Sequence, residues 1–137
     1  MIGVIRISGQ VKVKKEVKNA LSRLRLSRKY SCILLNPTPE NLGVIKFLEN
    51  IVAYGEVKKE TVIKLIEKRG KPLEKNKKIN PEKIAEELGK KKIEELGIRG
   101  VFRLHSPRGG INSKLHYPKG VLGNNKDNIN KLIERML

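Results

Sequence analysis

Residues 2–8, IGVIRIS, form a β-branched run of strand length, and GQVK after it turns the chain. Val13, Val17, Ala20, Leu21 and Leu24 then recur at helical spacing, with Lys14, Lys15, Lys18 and Arg25 spread over the other faces. That pattern predicts an amphipathic helix with a basic exterior. A second strand is predicted over YSCILL, residues 30–35, ending at Asn36-Pro37. Thr38 then stands where an N-cap belongs and Pro39 at the first helical position, where a missing N–H costs nothing. The helix they open has Leu42, Ile45, Leu48 and Val52 as its apolar stripe. A third strand follows over 52–57, then a helix over 59–69 with Val62, Leu65 and Ile66 inward and Gly70 as its stop.

Residues 71–80, KPLEKNKKIN, are polar and charged and read as a connector. Asn80-Pro81 repeats the cap-then-proline signal for a short helix running to Leu88 and ending at Gly89, and KKKIEEL adds a helical turn or two before Gly97. GVFRLH, residues 100–105, reads as a late strand. Asp127 is expected to cap a last helix whose Ile129, Leu132, Ile133 and Met136 keep the i, i+3, i+4, i+7 spacing. No internal repeat is visible. By itself the alternation of strands and helices allows a parallel doubly wound sheet as well as an α+β arrangement. At 137 residues the chain fits one domain, burying roughly two thirds of its unfolded surface.

Between the late strand and the last helix lies RLHSPRGGINSKLHYPKGVLGNNK, residues 103–126, with five Lys or Arg, two Pro, four Gly, three Asn and no acid. Charge makes this stretch informative. The net charge is +17, distributed unevenly: nine Lys/Arg against one acid in residues 1–35, fourteen against eleven in 36–97, eight against two in 98–137. The cationic excess thus sits at the two ends of the chain. Self-repulsion on this scale opposes compaction unless a polyanion neutralises it, which points to a nucleic-acid partner. A membrane surface fits poorly, because the basic regions lack an amphipathic helix with Trp or Phe opposite the charges. The longest apolar runs are far below the about 18 residues of a membrane span, and no apolar targeting segment follows Met1. A single Cys leaves no intramolecular disulfide and suits a reducing compartment such as the cytoplasm. Abundant Lys, Glu and Ile without Trp fits a thermophile's surface ion pairs, and equally an AT-rich genome.

Catalytic signatures are missing: no G-x-x-x-x-G-K-[ST] loop, no G-x-G-x-x-G after a strand, no G-x-S-x-G elbow, no H-E-x-x-H. PRGGINSK offers a glycine pair whose N–H groups suit a phosphate, though an ordinary turn has the same composition. His105 and His116 have no neighbouring Cys or Asp to complete a metal shell, and Cys32 lies within an apolar strand, so neither a metal nor a cofactor is expected. Lys90, Lys91 and Lys92 are followed by Glu94 and Glu95 and read as a self-paired helix face. By contrast, residues 96–126 run 31 positions without an acid. Each cation near a phosphate releases a condensed counterion, Gly and Pro let the segment follow an irregular surface, and His116 and Tyr117 present flat faces for unpaired bases. The stretch reads as an RNA-conforming strap whose ordering comes mainly from its partner.

The order of these elements resembles the large-subunit ribosomal protein L-thirty family in its long archaeal and eukaryotic form. Strand, polar turn, helix, a Leu24-x-Leu26 turn with basic residues, strand, Thr38-Pro39 and a Gly43-containing helix follow the short bacterial form, and FRLHSPRGG and YPKGVLGNN are similar to the archaeal extension. Where the bacterial turn usually reads Leu-Gly-Leu, this chain has Arg25. The resemblance implies an α+β fold, a small antiparallel sheet with a β-α-β-α-β core over 1–70 and a basic extension over 71–137 containing an RNA-conforming loop, 105–126. It implies a structural constituent of the large ribosomal subunit, cytoplasmic, without catalysis, small-molecule substrate or membrane. Its partners are then ribosomal RNA and neighbouring ribosomal proteins, with the chain a monomer within the ribosome. By position, Gln10, Lys12, Lys14 and Lys15 and the turn with Arg25, Arg28 and Lys29 match the segments through which the short form meets RNA. Charge and composition add Arg103, His105, Arg108, Lys114, His116, Tyr117 and Lys119. A general nucleic-acid-binding module outside the ribosome, or an RNA-modifying enzyme with a cofactor cleft, are the competing readings.

Overall fold

The computed structural model describes residues 2–7, 14–26, 28–36, 38–70, 80–87, 100–107, 120 and 122–137. The expected turn after the first strand, the helix end at Gly89, the helical turn of KKKIEEL and residues 108–119 of the strap lie outside these. Among the described residues, five strands and five helices follow in the order β1 (Ile2–Arg6), α1 (Lys15–Arg23), β2 (Ser31–Leu35), α2 (Pro39–Phe47), β3 (Val52–Glu56), α3 (Lys59–Arg69), α4 (Pro81–Glu87), β4 (Val101–Arg103), β5 (Gly123–Asn124) and α5 (Ile129–Met136). The fold is α+β, built on a β-α-β-α-β core. These strands form a sheet of order β4-β2-β1-β3-β5. The first four strands pair antiparallel, and β5 adds one parallel pairing to β3, which makes the sheet mixed.

Both faces of the sheet are covered, which is why β1 reads as a continuous apolar run rather than an alternating one. On one face Ile2, Val4, Ile33 and Val52 pack against Leu21 of α1, Leu26 in the turn after it, Ile45 of α2 and Leu48 just past its end. On the other, Ile5, Cys32, Ala53 and Phe102 meet Val62, Leu65 and Ile66 of α3, Ile84 of α4, and Ile129, Ile133 and Met136 of α5. The four apolar positions expected for the last helix are all buried. Gly3 and Gly55 face each other across β1 and β3. A Cβ on Gly55 would collide with the Lys126 carbonyl oxygen and lie 2.9 Å from the Ile129 side chain, so Gly55 leaves the room that the start of α5 needs, while Gly3 makes room for Val57. Two exposed ion pairs, Lys59–Glu86 at 3.3 Å and Lys64–Glu134 at 3.2 Å, link α3 to α4 and α5. Pairs of this kind are worth at most about 1 kcal/mol each.

Several local expectations change. Thr38 does cap α2, accepting the Asn41 N–H at 3.3 Å, and Asn80 likewise accepts the Lys83 N–H at 3.5 Å. Leu42, however, is 42% exposed. The residue α2 buries is Ile45, with Leu48 buried just past the helix end, while half-buried Asn41 donates its side-chain amide to the exposed Asn36 carbonyl at 2.9 Å. Gly70 ends α3 with φ −65°, so it supplies no left-handed cap; a Cβ there would strike the Ile66 carbonyl oxygen. Asp127 is not the cap of α5: a 3-10 turn over Lys126–Asn128 precedes the helix. The helix start is held instead by buried Asn130, whose Oδ1 accepts the Lys58 N–H at 2.9 Å and whose Nδ2 donates to the Glu56 carbonyl at 3.1 Å. At the end of the strap, where the sequence reading places no strand, Leu122 is buried and Gly123–Asn124 joins the sheet edge.

Burial pushes the Cys32 thiol up from its ordinary value of 9.0 to about 12. Native protein at pH 8 is therefore expected to resist alkylation, with labelling appearing only on unfolding. Since the folded pKa is raised, the stability this thiol contributes is complete below pH 9 and is lost as pH rises from there toward about 12. Alkaline denaturation compared with Cys32→Ala checks the window.

Candidate nucleic-acid interface

Seven of the nine cations in residues 1–35 lie on α1, at its N-cap or in the turn that follows it. Lys14, Lys15, Lys18 and Arg23 are exposed along the helix, and Arg25, Arg28 and Lys29 are exposed in the turn. The expected sites Gln10 and Lys12 lie outside the described residues. The turn is wound tightly: Arg25 N–H donates to the Ser22 carbonyl at 3.1 Å and Leu26 N–H to the Leu21 carbonyl at 2.8 Å. Its backbone takes φ 60° at Arg25 and 65° at Tyr30, the left-handed region that side chains with a Cβ rarely adopt. The position at which the resembled bacterial turn has Gly thus keeps the glycine-like conformation while carrying a cation.

Arg25→Gly is expected to stabilise the fold by roughly 0.5–1 kcal/mol, the release of about 1–2 kcal/mol of left-handed strain less the greater backbone entropy of Gly. Urea unfolding measures it; an unchanged midpoint would show that the turn is not strained at this residue.

Strand pairing brings a residue from the far end of the sequence to the same place. Ser31 is in register with Arg103, and Leu104 N–H donates to the Tyr30 carbonyl at 3.1 Å. Exposed Arg103 therefore stands at the sheet end where the basic turn enters β2. Lys29 Nζ lies 5.1 Å from the Tyr30 ring centroid, a cation–π contact at the same corner. This surface is cationic, and backbone geometry sets it.

His105 goes elsewhere. Its main-chain N–H donates to the Met136 carbonyl at 3.1 Å, while ring Nε2 contacts the Leu137 oxygen at 2.8 Å and Nδ1 the Ser106 oxygen at 2.5 Å. Arg69 donates to the same Leu137 oxygen at 3.4 Å, so two basic side chains meet the C-terminal end of α5, where the helix dipole favours positive charge. Arg108, Lys114, His116, Tyr117 and Lys119 lie outside the described residues.

Sequence reasoning missed Arg6. It is 1% exposed, on the strand between Ile5 and Ile7, and its Nη1 donates to the Leu26 carbonyl at 2.7 Å. Desolvation lowers the pKa of this guanidinium from its ordinary value. The available signal was a lone Arg inside an apolar strand run buried on both faces. Among the described residues no three of His, Cys, Asp and Glu come together to hold a metal, and no helix is long and apolar enough to cross a membrane.

No protein-family model matches the chain. Known proteins do. It is 37% identical to large ribosomal subunit protein uL30 of Archaeoglobus fulgidus, covering 99% of both chains. The Methanococcus maripaludis uL30 protein is 34% identical over 98% of this chain and 97% of its own. That of Methanocella arvoryzae is 29% identical over 99% of both.

Proposed function

This chain belongs to the large ribosomal subunit protein uL30 family, and from that premise we propose that it binds ribosomal RNA and stabilises its fold. It is a structural protein of the large subunit and not an enzyme. The observation that carries the RNA reading is the convergence of Arg25, Arg28, Lys29 and Arg103 at one end of the sheet, beside the basic outer face of α1. On the opposite face, by contrast, Lys59 and Lys64 pair with Glu86 and Glu134. Two lysines on that face thus already share their field with acids, while the cations of the turn are exposed to a phosphate. Contacts to phosphate need no sequence readout, so a structural RNA binder requires this distribution of charge and no cleft.

Residues 1–70 act in this reading as the core unit and 71–137 as an extension that adds RNA contacts through Arg108, Lys114, His116, Tyr117 and Lys119, and Gln10 and Lys12 contribute RNA contacts of their own. The protein works as a monomer within the cytoplasmic ribosome, bordered by other ribosomal proteins. Sedimentation of cell extract tests the proposal: the chain is expected to cofractionate with large subunits after a high-salt wash. Release into the soluble pool, with equal affinity for duplex DNA and unrelated RNA, would favour a general nucleic-acid-binding module. Within the extension, Gln at Arg108, Lys114 and Lys119 is expected to flatten the salt dependence of binding more than Gln at Lys90, Lys91 and Lys92.

A further inference from the structure

We propose that Arg6 is a positioning residue for RNA recognition: from inside the core it fixes the turn between α1 and β2, and with it the aim of Arg25, Arg28 and Lys29. The inference rests on the RNA-binding reading above and adds to it a residue that no RNA could touch. Arg6 grips the turn at both ends. Its side chain donates to the Leu26 carbonyl at 2.7 Å, and its main-chain carbonyl accepts the Tyr30 N–H at 2.8 Å. Arg28 and Lys29 lie between those anchors, and Arg25 immediately precedes the first.

Burying a guanidinium is costly, and an apolar residue of similar volume is often the more stabilising occupant of such a place. What an apolar residue could not do is supply a donor to Leu26. Two residues of the turn, Arg25 and Tyr30, hold left-handed backbone, and strained conformations of this kind persist only where surrounding contacts over-determine them. The Arg6 bonds are contacts of that sort, placed where the strain lies. Fixing the backbone in advance matters for a long cation, because the entropy of ordering it is otherwise charged against binding. Arg103 reaches the same corner through Ser31, the first residue of β2, so one buried side chain sets the frame for cations from both ends of the sequence.

A double-mutant cycle with the full chain and large-subunit ribosomal RNA tests this, using Arg6→Met and Arg25→Gln at fixed salt and below both unfolding midpoints. Arg6→Met is expected to weaken binding about tenfold in the wild-type background and no more than about threefold once Arg25 is already neutral, because interacting residues are not additive. Arg6→Lys, which keeps one donor, is expected to recover part of the loss; it also carries the cycle if the Met variant fails to fold. Equal losses in the two backgrounds, or a lowered melting temperature with affinity unchanged, would make Arg6 a packing residue only and overturn the inference while leaving RNA binding intact. A wild-type chain that does not bind the RNA would overturn both readings together.

Discussion

Replacing Arg25, Arg28 and Lys29 by Gln should lower the slope of log affinity against log salt for large-subunit RNA by roughly 2 to 2.7. That is about 0.7–0.9 for each phosphate left without its cation, with single-strand and duplex values as the guide. The slope counts released counterions, so it separates cations that face phosphate from cations that only raise the net charge. Lys59→Gln with Lys64→Gln supplies the control, since Glu86 and Glu134 already share the field of those two lysines. Per charge removed, the control is expected to change the slope much less. Equal per-charge slopes would leave a diffusely basic protein with no localised surface. Circular dichroism of each variant verifies that the turn substitutions act on binding and not on folding, as the exposure of all three side chains requires.

Much of the architecture was legible because local chemistry and tertiary structure agree. Thr38-Pro39 and Asn80-Pro81 mark helix starts that the structure keeps, and the Ile129, Leu132, Ile133, Met136 spacing survives as a fully buried stripe. The third helix has the very bounds that its pattern predicts, Lys59–Arg69. What was hidden depends on partners distant in sequence. Asn130 reads as a polar helix position, yet it is buried and satisfied by Lys58 and Glu56, more than seventy residues away. β5 is two residues long, pairs in parallel and begins at a glycine with φ 79°, so no alternating pattern could announce it.

The candidate surface was half legible for the same reason. Arg25, Arg28 and Lys29 share one turn, and Lys14 and Lys15 stand at the other end of the helix that leads into it, so their placement follows from local structure. Arg103 joins them only through the register of β4 on β2. His105, chosen from composition, sits instead at the end of α5 with both ring nitrogens in contact with main-chain oxygens. Its sequence neighbourhood is the strap's, but its spatial neighbourhood is the last helix.

The same substitution at two glycines should have opposite signs, and the difference measures how α5 is held. In the open middle of α2, a Cβ on Gly43 would meet nothing within 4 Å. Gly43→Ala is therefore expected to stabilise the protein by about 0.5–1 kcal/mol through helix propensity alone. At Gly55 the added carbon would press on the Lys126 carbonyl oxygen and lie 2.9 and 3.0 Å from two Ile129 atoms. Neither obstacle is the free end of a flexible chain. Lys126 begins the turn leading into α5, and Ile129 is fully buried at the helix start. Relief requires lifting α5 from the sheet, which also strains the Asn125 N–H bond to the Tyr54 carbonyl, 2.7 Å long. Gly55→Ala is expected to cost about 1–3 kcal/mol, the range for overpacked cores, and to loosen β5 and α5 before the rest. Urea unfolding gives the totals, and amide exchange at Asn125, Ile133 and Met136 against Val4 and Ile33 locates the loss. If Gly55→Ala left exchange in α5 unchanged, or if the two alanines shifted stability in the same direction, the close seating of the last helix on Gly55 would not be what holds it.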